Sequence, residues 1–123
     1  MKAMNKEYWK NKKVNMEKAE RHLREIESKF QKEINQCIAE TVIYEDDISM
    51  DEQIQVVDMD SVSAIFKYHV GKTAVLNFAS YKEPGGLFLK GSSAQEESLC
   101  HESILYPVLK SFKDSYYEVN KKI

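Results

Sequence analysis

The chain has 123 residues, 42% of them hydrophobic and 31% charged, with a formal net charge of −2, which predicts a globular protein with a single core. The charge excess of each part of the chain is too small to favour nucleic acid as a partner. No apolar run approaches the roughly 20 residues that cross a bilayer, and the N-terminus lacks the apolar segment of a secretion signal. We therefore expect a cytoplasmic protein without membrane contact.

The first 40 residues predict a long amphipathic helix. Met4–Glu40 contains no Pro or Gly, and its apolar residues recur at spacings of three and four. This stripe consists of Leu23, Ile26, Phe30, Ile34, Cys37 and Ile38. The helix either continues or breaks near Asn11–Asn15. We therefore assign residues 1–40 to an N-terminal helical extension that packs on the chain's own domain, with a homo-oligomer contact through this helix as the alternative.

An acidic segment follows the helix. Its five carboxylates belong to Glu45, Asp46, Asp47, Asp51 and Glu52. A calcium-binding loop needs acids at alternate positions around a central glycine, and this segment contains no glycine. The two cysteines of the chain also lack the spacing of metal ligands. We therefore predict a solvated loop here and no metal site.

The middle of the chain predicts two strands joined by a helix. Ile54–Val57 and Thr73–Phe78 are mostly apolar, and Val62–Val70 between them has capping residues before it and Gly71 after it. A strand, a helix and a strand in such close succession are typical of a parallel crossover unit. We therefore expect an α/β domain over residues 41–123, with its ligand at the carboxyl ends of the strands.

A loop that contains Gly85 and Gly86 follows the second predicted strand. It precedes a helix that we expect to begin at Ser92 or Ser93. Glycines let the backbone approach a ligand closely and turn its N–H groups toward it, and a helix start adds unpaired N–H groups and the positive end of the dipole. This arrangement favours a bound phosphate or pyrophosphate.

Two adjacent carboxylates, Glu96 and Glu97, lie in the first turn of that helix. Successive helical residues point about 100° apart, so we expect the two acids to have different surroundings and roles. Glu97 faces the apolar series that continues through Cys100, and a carboxyl in apolar surroundings has the raised proton affinity that a general acid requires. The helix dipole opposes this effect. For Glu96 the alternative is a capping box with Ser93.

The helix that carries the two acids is expected to run through Tyr106, where Pro107 kinks or ends it. His101 lies one turn after Glu97. It either pairs with that carboxylate or is a partly exposed helix residue, and we favour the second interpretation. Ser111–Asn120 predicts a further short helix or turn.

Several short motifs occur in a fixed order along this part of the chain. They are Asn77-Phe78-Ala79, Pro84-Gly85-Gly86, Phe88-Leu89, Gly91, Ala94-Gln95-Glu96-Glu97, Leu99-Cys100 and Leu105-Tyr106-Pro107. Their order and spacing resemble the signature of the microbial-type poly(ADP-ribose) glycohydrolases, a macrodomain-related family whose hallmark is a glycine-rich loop followed by Gln-Glu-Glu.

The resemblance implies a partial macrodomain-like fold, in which helices flank a parallel or mixed sheet, and an enzyme that hydrolyses ADP-ribose linkages without a cofactor. It implies that Glu97 is the catalytic acid and that Glu96 holds the distal ribose hydroxyls. Asn77 either contacts a ribose hydroxyl or, as a strand-end Asn commonly does, bonds loop backbone. The expected ligand is ADP-ribose or poly(ADP-ribose), and the residues expected to contact it are Asn77, Gly85, Gly86, Leu87, Phe88 and Gln95.

The chain departs from the family pattern in two ways. Leu87 occupies the position at which the family usually has a third consecutive glycine, and family members continue well past Tyr116–Asn120, so that the chain corresponds to about their first half. These departures leave two alternatives. One is a module that binds ADP-ribose or a related nucleotide with little or no hydrolysis. The other is a fragment whose site is completed by a second chain or by a C-terminal half.

Overall fold

The structure, a computed structural model, describes residues 2–42 and 54–123, with side chains from residue 6 onward. The described residues form six α-helices, a 3₁₀ turn at Phe88–Lys90 and a π-helical turn at Lys113–Tyr117. The α-helices are α1 (Lys2–Lys29), α2 (Gln31–Glu40), α3 (Ser61–Tyr68), α4 (Gln95–His101), α5 (Leu105–Lys110) and α6 (Glu118–Lys121). The five acids of the predicted loop lie outside the described residues.

The predicted N-terminal helix is confirmed, but its break lies elsewhere. α1 passes through Asn11–Asn15 without interruption, and the chain leaves helical geometry at Phe30, where φ is −124° and ψ is 26°. Ala19, Ile26 and Ile34 are buried on the inner face of the two helices. This face contacts the 3₁₀ turn, α4 and α5, so the helical pair packs on the rest of the chain.

The predicted α/β fold, with a macrodomain-like parallel or mixed sheet, is wrong for the described residues, because they contain no strand. Ile54–Val57 and Thr73–Phe78 fall within them and form no ladder. The side chains of Leu76 and Phe78 are 74% and 71% exposed. β-type composition gives a segment the potential to pair, but a strand needs hydrogen bonds from a neighbouring strand, which no sequence pattern supplies.

The helix between these two segments is confirmed. α3 begins after Asp60, whose side chain accepts a hydrogen bond of 2.8 Å from the backbone N–H of Ser63. This is an N-cap, and the nearby hydroxyl of Ser63 adds a second bond of 2.8 Å to the same carboxylate. The helix ends at Tyr68, earlier than predicted, and Gly71 lies beyond its C-cap residue His69.

The single long helix predicted from Ser92 or Ser93 to Tyr106 is instead two short ones. α4 begins at Gln95 and ends at His101, and α5 begins at Leu105. Pro107 neither kinks nor ends a helix, because it occupies the first turn of α5, where the missing N–H would have no partner within the helix. The turn between the helices allows α5 to pack back on the core.

The core is built around Phe88, which is fully buried. Its ring centroid lies 4.8 Å from that of His101, 5.1 Å from that of Tyr106 and 6.5 Å from that of His22. Phe88 is therefore the point at which the 3₁₀ turn, α1, α4 and α5 meet. No helix of the described ranges is long and apolar enough to span a bilayer.

Candidate functional site

The glycine loop packs directly against α4 and α5. Gly85 and Gly86 have φ values of 71° and 58°, a conformation that side-chain-bearing residues rarely adopt. A Cβ on Gly85 would lie 2.7 Å from Cδ2 of Tyr106, and one on Gly86 would lie 2.8 Å from Oε1 of Glu97. Both positions therefore require glycine, for conformation and for space, and Gly86 places the loop backbone against the carboxylate.

Three N–H groups of this loop form hydrogen bonds within the protein. The N–H of Gly86 donates to the carbonyl of Glu83 at 3.0 Å, and that of Phe88 donates to the carbonyl of Gly85 at 3.1 Å. The N–H of Leu87 donates to Oε1 of Glu97 at 3.1 Å. The glycines thus bring the loop close to the acid, and these N–H groups hold that arrangement.

Glu97 is buried, with 7% of its surface exposed. Its Oε1 accepts the hydrogen bond from Leu87, while its Oε2 has no hydrogen-bond partner among the described residues. Oε2 is also accessible from outside the protein. Among the described residues, the one side-chain oxygen or nitrogen that is both fully buried and without a hydrogen-bond partner belongs to Asn77. One oxygen is thus fixed by the loop and the other is available to a ligand.

Glu96 is also buried, with 3% of its surface exposed, but it has different partners. Its Oε2 accepts a hydrogen bond of 3.0 Å from the side-chain amide of Asn77, and its Oε1 accepts one of 3.0 Å from the backbone N–H of Ser80. The alternative of a capping box with Ser93 is wrong, because α4 begins after Ala94 without a side-chain cap. Glu96 instead ties α4 to the segment before the loop.

Gln95 fixes the same segment from the preceding position of α4. Its amide nitrogen donates to the carbonyl of Leu76 at 2.9 Å and to the hydroxyl of Ser61 at 3.1 Å, and its amide oxygen accepts from the N–H of Phe78 at 2.8 Å. The side-chain amide of Gln95 thereby bonds the backbone of the residue before Asn77 and of the residue after it.

Asn77 has a fully buried side-chain oxygen that forms no hydrogen bond, and it is the one such polar side-chain atom in the described residues. Its Nδ2 donates to Glu96, whereas its Oδ1 is buried and accepts no hydrogen bond. The Nδ2 group of Asn77 therefore bonds a carboxylate, and the alternative in which it bonds loop backbone is wrong. A buried polar atom without a partner costs about 1–3 kcal/mol, so an unpaired oxygen beside a buried carboxylate indicates a place for a donor from a ligand or water.

Phe88 and Leu87, two further residues predicted to contact the ligand, differ in burial. Phe88 lies in the core, with its ring against His101 and Tyr106. Leu87 is 44% exposed and has a φ of −105°, which any residue adopts, so the absence of a third glycine causes no backbone strain. His101 packs its ring on Phe88 and forms no described hydrogen bond with Glu97, as expected for a partly exposed helix residue.

The two carboxylates affect the groups buried next to them. Burial, followed by the charges of Glu96 and Glu97, raises the pKa of the Cys100 thiol to about 12. Burial, followed by the charge of Glu96, raises the pKa of Tyr117 to about 12. Both groups therefore stay protonated at neutral pH, and neither is an accessible nucleophile or base.

Sequence reasoning missed several residues of the site. Ser80 and Ser61 contribute a backbone N–H and a hydroxyl, and Tyr106 is the residue on which Gly85 packs. No sequence pattern identifies the first two, because a backbone N–H has no residue type and a single Ser has many uses. Within the described ranges no group of three His, Cys, Asp or Glu residues is arranged to hold a metal ion.

The comparison with protein families matches this chain to a known family. It is the family described as "Microbial-type PARG, catalytic domain", and the match covers residues 10–123. Comparison with curated proteins and comparison with solved structures each yield no match. The matched range contains the glycine loop, both buried carboxylates and most of α1. The chain therefore belongs to the microbial-type PARG catalytic domain family, whose members are hydrolases of ADP-ribose polymers.

Proposed function

We propose that this chain hydrolyses the glycosidic link between ADP-ribose units and that Glu97 is its general acid. The observation that carries the proposal is the asymmetry of the Glu97 carboxyl, which holds the loop N–H of Leu87 with Oε1 and leaves Oε2 without a described partner. A general acid must be held in place and must also offer an oxygen to the reacting group. Membership of the family supports this assignment.

In the proposed reaction the bond between the anomeric carbon of the distal ribose and the departing ribose oxygen breaks. Glu97 transfers its proton from Oε2 to that oxygen, and an oxocarbenium-like centre forms at the distal ribose. Water then adds to the anomeric carbon and releases a proton, which restores the acid. The products are one free ADP-ribose and a polymer shorter by one unit.

Glu96 and Asn77 would orient the distal ribose. Each carboxylate oxygen of Glu96 accepts one N–H from the protein and has a second lone pair for a ribose hydroxyl. A contact of a ribose hydroxyl with Oδ1 of Asn77 stays a prediction, because this oxygen is closed to a ligand unless the segment around it moves. Contacts of Gly85, Gly86 and neighbouring N–H groups with the diphosphate stay predictions. The same holds for ligand contacts of Leu87, Phe88 and Gln95.

Exchange of Glu97 for Gln tests the role of the acid. The amide keeps the size of the side chain and an oxygen for Leu87, but it cannot donate a proton to the leaving oxygen, so turnover of poly(ADP-ribose) should fall at least 100-fold. Affinity for ADP-ribose, measured by calorimetry, should change little. The matched control is Glu102→Gln, an exposed acid at the end of the same helix, which should keep full turnover. Wild-type turnover in Glu97→Gln would contradict the assignment.

A second candidate function is a binding module that captures ADP-ribose without cleaving it. The side chain of Leu87 favours this function, since it stands where the family usually has a third glycine, is 44% exposed and would narrow the approach of a substrate to the loop. Calorimetry with ADP-ribose, together with an assay for released ADP-ribose, separates the two functions. Binding without release of product would support the module.

Three broader expectations stay predictions. They are the division into an extension at residues 1–40 and a catalytic domain at residues 41–123, the cytoplasmic location, and the homo-oligomer contact through the N-terminal helix. The matched family range begins at residue 10, within α1. Light scattering of the chain at several concentrations tests the oligomer, because a concentration-dependent mass would support it.

A further inference from the structure

A cavity of about 330 Å³ lies beside the glycine loop and has a strongly cationic rim. Lys90 ends the 3₁₀ turn, Lys110 ends α5 and Lys113 begins the π-helical turn, so three separate elements each contribute one lysine. All three are exposed, and none forms an ion pair with a described acid. Three cations from three elements around one cavity favour a polyanionic ligand.

The cavity has one acid in its lining, and the structure balances that charge. Glu83 forms an ion pair of 3.1 Å with Lys121, which lies on α6. The negative charge of Glu83 is therefore paired with Lys121 and with none of the three lysines. The charges that face the cavity without a partner among the described residues are thus all positive.

Gly86 and Leu87 connect this cavity to the proposed catalytic acid. Both residues line the cavity, and both contact Glu97, through the close approach at Gly86 and the N–H of Leu87. A group held by the lysines would therefore be separated from Glu97 by a single stretch of loop backbone. The cavity and the acid therefore border the same two loop residues.

We propose that Lys90, Lys110 and Lys113 form a phosphate subsite for the ADP-ribose unit next to the one that is cleaved. The inference rests on the proposed function and deepens it, because it assigns a binding site to the polymer unit beyond the cleaved link. A polymer carries diphosphates on both sides of the link that breaks, whereas a single ADP-ribose carries only its own. The lysine subsite therefore gives the polymer contacts that a single ADP-ribose lacks.

The test neutralises the subsite and compares polymer with monomer. Lys90, Lys110 and Lys113 are exchanged together for Gln in a Glu97→Gln background, so that the polymer is not consumed during the measurement. The control exchanges Lys13, Lys32 and Lys72 for Gln, which removes the same charge from exposed positions outside the cavity. Affinity for poly(ADP-ribose) of defined length and for ADP-ribose is measured at several salt concentrations.

We expect the subsite variant to lose polymer affinity roughly tenfold at low salt and to reduce the slope of log affinity against log salt by about 2, since each phosphate contact on a flexible strand contributes roughly 0.7. Its affinity for single ADP-ribose should change less than about twofold. The control should bind the polymer like the unmodified background and keep its salt slope.

Several results would overturn the inference. They are polymer affinity equal to that of the control, an equal loss of affinity for polymer and for single ADP-ribose, and binding of a single-stranded RNA of similar charge as tightly as poly(ADP-ribose). The proposed function fails separately. If the unmodified chain binds the polymer through these lysines but releases no ADP-ribose, the proposed hydrolysis is wrong and the subsite stands.

Discussion

At the scale of single residues, the site depends on where two neighbouring carboxylates find their partners. Glu96 has both oxygens in hydrogen bonds to the segment before the loop, and Glu97 has only one, which goes to the loop itself. The expectation of different roles was based on the angle between successive helical residues. The structure gives the two acids different partners, although both are buried.

Gly86 offers a residue-scale prediction, because a methyl group there would meet the carboxylate of Glu97, the proposed general acid. In Gly86→Ala the new Cβ would lie 2.8 Å from Oε1 of Glu97 and would displace it. We expect turnover to fall roughly 100-fold, as misplacement of a catalytic group by about 1 Å commonly produces. The measurement is the rate of ADP-ribose release from the polymer.

Gly71→Ala is the matched control for this substitution. Gly71 has a φ of 60°, close to the 58° of Gly86, but a Cβ there would meet nothing within 4 Å. Both variants should lose about 1–2 kcal/mol of unfolding free energy through backbone strain. Only Gly86→Ala should also lose turnover, and equal turnover in the two variants would show that the contact with Glu97 has no catalytic consequence.

At the scale of elements, α4 supplies hydrogen bonds to the segment before the glycine loop, as a neighbouring strand would do. The amide of Gln95 bonds Leu76 and Phe78, and Glu96 bonds Asn77 and Ser80. The first turn of this helix therefore holds the segment before the glycine loop without any ladder. This explains how a segment with β-type composition keeps a defined path although the described residues contain no strand.

The exchange of Gln95 for Ala tests this element-scale role. The variant removes three described hydrogen bonds, of which two are to backbone, and we expect unfolding free energy to fall by about 1–3 kcal/mol. The amide proton of Phe78 should exchange with solvent faster than in the unmodified chain. Gln36→Ala is the control, since the Gln36 side chain has only an exposed bond to Glu40. Unchanged exchange at Phe78 would contradict the role.

At the scale of the whole molecule, α1 meets the 3₁₀ turn and α4 at Phe88. The Phe88 ring lies near both His22 of α1 and His101 of α4, so both histidines border the same core cluster. Burial, followed by the charge of His22, lowers the pKa of His101 below its ordinary value of 6.5. The fold therefore binds the neutral form of this imidazole better than the charged form.

The whole-molecule prediction is a loss of stability in mild acid that depends on His101. Because its folded pKa lies below its unfolded pKa, the unfolded chain binds more protons, and the contribution of His101 is complete above about pH 6.5 and is lost as pH falls toward the folded pKa. Urea unfolding at several pH values should show a steeper loss for the unmodified chain than for His101→Gln. Parallel curves for the two proteins would contradict it.

Much of the helical structure and the core of the site were predictable from the sequence. α1, α2 and α3 follow from apolar spacing and from the Asp60 cap, which act between residues three or four apart. The motif of a glycine loop and two carboxylates indicated the family, and the family match confirms it. These features are local in the chain, so the residues that determine them can be read together.

The tertiary structure decided the features that depend on distant residues. It joined Asn77 to Glu96 across 19 positions, brought Gly85 against Tyr106, and left Thr73–Phe78 without a ladder. A strand and a buried carboxylate both need partners from elsewhere in the chain, and their hydrogen bonds form only where packing brings those partners within reach. For this protein the sequence alone determined its family and its local helices, while the partners of the two acids were decided only by the packing of the loop and of the segment before it on α4.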